Sequence, residues 1–176
     1  MRDKVKNIVL IGMPGCGKTT IGKMAASVLN KKFIDMDEYI ENKYKITIPE
    51  ICKRGEEYFR NIESLAAVEV SNEYDVVIST GGGVIKNEKN IINLKKNGIV
   101  FFIDRPLENI IADVDIKNRP LLKNGTHEIE KIFNERYDSY KSYCDFLVDN
   151  TSDYEVVIDN IISIYNKELN IQKDEC

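Results

Sequence analysis

No stretch of this 176-residue chain approaches the roughly 18 consecutive apolar residues that a membrane-spanning helix needs. Its first apolar run, Ile8 to Ile11, is also far shorter than the roughly 7 to 15 residues of a signal-peptide core, so a soluble, cytoplasmic protein is expected. Cysteine and histidine are sparse. The four cysteines, Cys16, Cys52, Cys144 and Cys176, form no C-x-x-C pair, and the single His127 stands far from them in sequence, which argues against zinc. Neither sign of charge dominates: 25 Lys plus Arg face 29 Asp plus Glu for a net charge of -4, leaving no basic surplus for nucleic acid or an anionic membrane. Internal repeats and low-complexity tracts are missing too, and the polar ends Met1 to Lys6 and Asn170 to Cys176 are expected to fray.

What is present suffices for one core. Hydrophobic residues make up 43% of the chain, which is too short for two ordinary domains, so residues 1–176 are expected to form a single domain. Asn7 to Ile11, Val76 to Ser79, Ile99 to Ile103 and Phe146 to Val148 have the apolar, β-branched and aromatic character of buried strands, and Phe33 to Asp35 is a weaker fifth. Between them run helical periods, such as Ile129, Ile132, Phe133, Tyr137 and Tyr140, then Val157, Ile158, Ile161, Ile162 and Tyr165. Alternating strands and helices predict an α/β fold of three layers around a five-stranded parallel sheet, with ligands at the carboxyl ends of the strands. Two segments break the alternation. Residues 37–72 read as a helical, acceptor-binding insertion, and residues 113–125, polar and holding Pro120 and Gly125, as a mobile lid.

Gly12-Met13-Pro14-Gly15-Cys16-Gly17-Lys18-Thr19 matches G-x-x-x-x-G-K-S/T, between an apolar strand and the helical stretch Thr20 to Leu29. Such a phosphate loop turns successive N–H groups inward onto phosphate oxygens, and the helix adds the positive end of its dipole. The nucleotide contacts expected here are Gly15, Cys16, Gly17, Lys18, Thr19 and Thr20, with Lys18 as a cation for the β and γ phosphates and Thr19 as a ligand to Mg²⁺. Thr20 stands where G-x-G-x-x-G would need its last glycine, which disfavours a dinucleotide site. Cys16 reads as a plain loop residue.

A phosphate loop alone leaves GTPases, transport ATPases and kinases open. Asp35 and Asp37, one residue apart at the end of a short strand, can face different partners, Asp35 towards Mg²⁺ and Asp37 towards an acceptor hydroxyl. A carboxylate suits an alcohol, whose proton must be oriented and removed, and would repel a phosphate acceptor. Asp37 is also a favoured N-cap for a helix through Glu38, Tyr39 and Ile40.

Further motifs follow in order: Ile46-Thr47-Ile48-Pro49-Glu50-Ile51, Gly55-Glu56-Glu57-Tyr58-Phe59-Arg60-Asn61-Ile62-Glu63, Thr80-Gly81-Gly82-Gly83-Val84, Arg119-Pro120-Leu121-Leu122 and Arg136. Over nearly its whole length the chain resembles the shikimate kinases, small P-loop enzymes of the nucleoside monophosphate kinase structural class. That resemblance implies transfer of the γ-phosphate of ATP to shikimate, with Mg²⁺ as cofactor, by a protein taken as a monomer without nucleic-acid or membrane partners. It assigns Asp37, Lys18 and Arg119 to catalysis, with Arg119 swinging over the transferring phosphoryl and also touching ATP. Arg60 and Arg136 would bind the acceptor carboxylate, Glu63 would steady Arg60, and Gly81, Gly82 and Gly83 would meet a ring hydroxyl. Ile48 and Phe59 would wall the apolar ring edge, with Thr19 and Asp35 at the metal.

The chain departs from the family at two points. Asp138 and Ser139 stand where relatives commonly have Pro-Leu, and residues 112–118 lack the arginine that packs on adenine in many relatives. Gluconate kinase and adenylate kinase carry similar loops, and a nucleotide-binding module without activity could share the fold. None of the three accounts for Asp37, Arg60 and the glycine triplet together with intact Lys18 and Arg119.

Overall fold

The computed structural model describes residues 6–113 and 126–174. Five strands, β1 (Asn7–Ile11), β2 (Lys32–Asp35), β3 (Val76–Ser79), β4 (Gly98–Asp104) and β5 (Phe146–Asp149), form one parallel sheet in the order β2-β3-β1-β4-β5. The expected strands are therefore all present, each within a residue of its predicted limits. Burial follows sheet order: every residue of β1 and β3 is buried, whereas the edge strands β2 and β5 are partly exposed. Side chains alternate between the two faces of a strand, so complete burial of the central strands requires both faces to be covered.

The cover is helical. The chain forms α1 (Lys18–Leu29), α2 (Met36–Tyr44), α3 (Ile48–Cys52), α4 (Glu56–Ser71), α5 (Glu88–Lys96), α6 (Leu107–Asp113), α7 (Thr126–Tyr143) and α8 (Tyr154–Asp174). α1 packs against β3 and α8, α4 packs against α5, and both α5 and α7 touch β4. The periods read from sequence place Ile129, Ile132 and Tyr140 of α7, and Val157, Ile158, Ile161 and Tyr165 of α8, in the core. α8 continues to Asp174, past the expected fraying point at Asn170, because no proline or glycine between Asn166 and Asp174 breaks it. One buried polar residue in β1 is satisfied locally: Asn7 donates to the Glu73 carbonyl at 2.7 Å and accepts from the Val76 N–H at 3.2 Å.

Two consequences of this order place the site. β1 pairs with β3 on one side and β4 on the other, so the chain diverges at the carboxyl end of β1, where a crevice opens. Residues 36–71 form three consecutive helices between β2 and β3. There α3 is closed by Glu50, whose carboxylate accepts from the Thr47 N–H at 2.9 Å and the Thr47 hydroxyl at 2.8 Å, with Pro49 in the first turn. Of the expected lid, only Asp113 lies within the described residues, as the last residue of α6; Arg119 lies outside them.

Candidate active site

The loop after β1 is shaped by its first glycine. Gly12 has φ 147°, and a Cβ there would lie 2.8 Å from the Ile103 carbonyl oxygen and 2.9 Å from Cys16 Sγ, so a side chain fits neither the backbone nor the space. Gly15 and Gly17 also have positive φ, and Gly17 caps α1. Lys18 is buried, its ammonium donating to the carbonyls of Gly12 and Met13 at 2.9 Å each, which holds the charge inside the loop. The fully buried Cys16 is pinned through its carbonyl by Asn150 Nδ2 at 2.8 Å, while the Asn150 N–H donates to the Asp104 carbonyl at 2.8 Å. Thr19 and Thr20 face outward on the first turn of α1.

Asp35 ties this loop to the next element. Its Oδ2 accepts from the Thr19 hydroxyl at 2.8 Å, and its Oδ1 accepts from the N–H groups of Asp37 at 3.0 Å and Glu38 at 3.3 Å. Asp35, in extended backbone, is thus the N-cap of α2, correcting the expectation that Asp37 caps it. The helix begins two residues earlier than a cap at Asp37 would place it, and the Asp37 carboxylate is left free of capping. The residue is exposed, yet the protein packed around its carboxylate strips part of its solvation, and that loss, reinforced by the charge of Asp35, pushes its pKa above the usual carboxylate value although Lys18 and Arg60 pull it down.

Helix α4 carries the first arginine. Arg60 Nη1 donates to Glu63 Oε2 at 2.7 Å, one turn on, and the guanidinium lies 4.9 Å from the centre of the Phe59 ring. Glu63 is 1% exposed, and burial raises its pKa against the opposing pull of Arg60. Helix α7 carries the second arginine. Arg136 Nη1 donates to the Gly82 carbonyl at 3.0 Å, and the Tyr140 hydroxyl, one turn further on, donates to the same oxygen at 2.5 Å. With Asp138 and Ser139 in it, the turn between Arg136 and Tyr140 is helical and both groups lie on one face.

The glycine triplet joins these parts. A Cβ on Gly81 would sit 3.0 Å from Asp37 Oδ1 and from Glu63 Oε1, one on Gly82 would sit 2.7 Å from Pro14 of the phosphate loop, and one on Gly83 would fall on the Arg60 guanidinium. Only backbone fits between the catalytic carboxylate candidate, the phosphate loop and the two arginines. Among the described residues, no group accepts from the N–H of Gly81, Gly82 or Gly83, and the buried Nε of both Arg60 and Arg136 has no hydrogen-bond partner. Arg60 Nε also lies 3.5 Å from Glu56 Oε1 and the buried Glu63 Oε1 is itself unpaired, yet the free N–H groups and the two guanidinium groups at the triplet suit an anion flanked by hydroxyls.

The structure therefore brings together Lys18, Thr19, Asp35, Asp37, Phe59, Arg60, Glu63, the triplet and Arg136. Ile48 stands apart at the first turn of α3, half-buried against the core, with its N–H donated to Glu41 at 2.8 Å. Sequence reading missed four residues. Ser79 Oγ lies 3.4 Å from the Thr19 hydroxyl, and Arg105 Nη1 reaches the Gly15 carbonyl at 3.4 Å while pairing with Asp113; Asn150 and Tyr140 act as described. Ser79 ends β3 and Asn150 follows β5, so a polar residue at the carboxyl end of a strand was the available signal. For Tyr140 it was a phenol on an apolar helix face, whose hydroxyl needs a partner once buried.

The chain is similar to proteins of one family over nearly its whole length. The family model described as shikimate kinase matches residues 14–166. A shikimate kinase of Clostridium botulinum (strain Alaska E43 / Type E3) is 51% identical over 164 residues, covering 93% of this chain and 98% of the relative. The solved structure of shikimate kinase from Acinetobacter baumannii in complex with shikimate superposes with a TM-score of 0.84 at 32% identity, over 94% of each chain. A gluconokinase from Sinorhizobium meliloti superposes with a TM-score of 0.61 at 11% identity, over 97% of this chain and 99% of that one, a likeness of fold alone.

Proposed function

The chain belongs to the shikimate kinase family, and from that premise we propose that it transfers the γ-phosphate of ATP to the 3-hydroxyl of shikimate, giving shikimate 3-phosphate and ADP on the route to chorismate and the aromatic amino acids. The observation that carries this reading is the convergence of Arg60 and Arg136 on one glycine triplet that also borders Asp37 and the phosphate loop. Shikimate carries one carboxylate and three ring hydroxyls, and the planar fork of arginine suits the first as backbone N–H groups suit the others.

In this reading the loop from Gly15 to Thr20 holds the phosphates, with the Lys18 ammonium at the β and γ groups. Thr19 and Asp35 would hold Mg²⁺. Their oxygens lie 2.8 Å apart, and among the described residues no group of three or more His, Cys, Asp or Glu side chains could bind a metal unaided. Two hard oxygen donors, with the remaining positions left to phosphates and water, suit Mg²⁺. When bound, the ion would neutralise charge on the β and γ phosphates. Asp37 orients the 3-hydroxyl and takes its proton; Arg60 and Arg136 take the carboxylate, Glu63 keeps the Arg60 fork in place, and the triplet meets a ring hydroxyl. Phe59 and Ile48 wall the apolar edge of an acceptor lobe at 37–72, and Arg119, in the lid expected at 113–125, would join Lys18 in neutralising the transferring phosphoryl. The enzyme is taken as a monomer that acts on two small-molecule substrates. No described helix is long and apolar enough to cross a membrane; the reading places the enzyme in the cytoplasm.

The acceptor is tested by following ADP release from Mg²⁺-ATP with shikimate, gluconate and AMP. Release with shikimate alone is expected, whereas equal or greater release with either alternative would overturn the assignment. Because residues 112–118 hold no arginine, adenine is expected to be weakly selected, with kcat/KM for ATP exceeding that for GTP by no more than about tenfold. A preference of a thousandfold in the same assay would contradict this.

A further inference from the structure

Tyr140 is fully buried, and its ring stacks on Phe102 with centroids 5.3 Å apart, so at first sight it is ordinary core. Its hydroxyl is placed otherwise. It donates to the Gly82 carbonyl, 58 residues away in sequence, at 2.5 Å, and that oxygen also accepts from Arg136 Nη1 at 3.0 Å. A carbonyl oxygen with two lone pairs is filled by this pair of donors, both from the same face of α7. The peptide unit is planar and trans here, so fixing the Gly82 carbonyl also fixes the Gly83 N–H, which points the opposite way, away from α7. Glycine supplies no side chain to hold that plane, and a triplet of glycines is the backbone least able to hold it unaided.

We propose that Tyr140 is a positioning residue for the acceptor: with Arg136 it clamps the Gly82 carbonyl, setting the Gly83 N–H for a ring hydroxyl and Arg136 for the carboxylate in one step. The inference rests on the shikimate reading. Burial pushes the Tyr140 hydroxyl well above its ordinary pKa, although Arg136 pulls the other way, so it remains a donor at any pH the enzyme meets. Without it, the Gly82–Gly83 peptide is held by Arg136 alone, and the guanidinium must divide itself between structure and substrate.

Tyr140→Phe keeps the ring and its stacking while removing the donor. Steady-state kinetics of this variant should show KM for shikimate raised about tenfold and KM for ATP within about twofold of wild type. Phe102→Leu is the control for packing: it loosens the contact with the Tyr140 ring and should lower Tm while leaving KM for shikimate within twofold. A Tyr140→Phe enzyme with wild-type KM for shikimate would overturn the proposal, as would an equal rise in KM for shikimate in Phe102→Leu, which would make Tyr140 a core residue only. Failure of the shikimate reading would appear separately, as a wild-type enzyme that does not turn over shikimate.

Discussion

Asp37→Asn is expected to lower kcat about 10³-fold while leaving the affinity for Mg²⁺-ATP within about twofold. The substitution preserves shape, and the helix start is unaffected because Asp35, not Asp37, caps α2. What would disappear is the proton acceptor proposed for the attacking hydroxyl. Rapid-quench turnover and equilibrium nucleotide binding separate the two quantities; near-normal turnover would remove Asp37 from the role of base. The pH dependence follows from the same environment. Loss of solvation and the neighbouring Asp35 hold the Asp37 pKa above the ordinary carboxylate value, so kcat/KM should fall as pH drops through that raised value, and the Asn variant should lack this limb. For stability the sign is opposite to that of a salt-bridged acid. The folded state binds the Asp37 proton more tightly than the unfolded chain, so this group favours folding most at low pH, and that advantage is lost as pH rises from the ordinary value to the raised one. Asp37→Asn at neutral pH should therefore melt no lower than the wild type.

Arg60→Ala is the second large effect. It removes a fork suited to the acceptor carboxylate, and charge-assisted pairs of this kind place the expected rise in KM for shikimate at about 10²-fold. It also strips the 1%-exposed Glu63 of its partner. Glu63 already has a raised pKa from burial, with Arg60 as the largest opposing influence; without that arginine it should rise further and the carboxyl should take up a proton. The variant should accordingly lose stability as pH is raised through that higher value, a dependence the wild type shows less. Arg60→Lys retains a charge without the fork and should lie nearer Arg60→Ala than the wild type in KM. Thermal melts across pH, together with KM for both substrates, test the pair of effects; an unchanged KM for shikimate in Arg60→Ala would place the carboxylate elsewhere.

How much of this was readable beforehand depends on how far apart in sequence the interacting groups lie. β1 and β3 could be read because strands buried on both faces are continuously apolar, and the phosphate loop because its spacing is local. Arg60 and Glu63 stand one turn apart on α4, so their pairing is a property of a single helix. The cap of α2 was misread by two residues, since the tendency of an aspartate to cap does not say which of two nearby aspartates has extended backbone. Tyr140 with Gly82, Ser79 with Thr19, and Asn150 with Cys16 span 58, 60 and 134 residues, and only the sheet order brings them together. A tyrosine on an apolar helix face has the same period whether its hydroxyl is idle or clamps a peptide. Arg119 lies outside the described residues, so its place over the phosphoryl group rests on the resemblance of Arg119-Pro120-Leu121-Leu122 alone.

The central claim is that two arginines meeting at the glycine triplet select the acceptor by its carboxylate. The most direct measurement is kcat/KM for shikimate against its neutral carboxamide, which keeps every ring hydroxyl. The wild type should favour shikimate by about 10²-fold or more, and Arg60→Ala should lose most of that preference. A wild-type enzyme that turned over the two equally well would contradict the account.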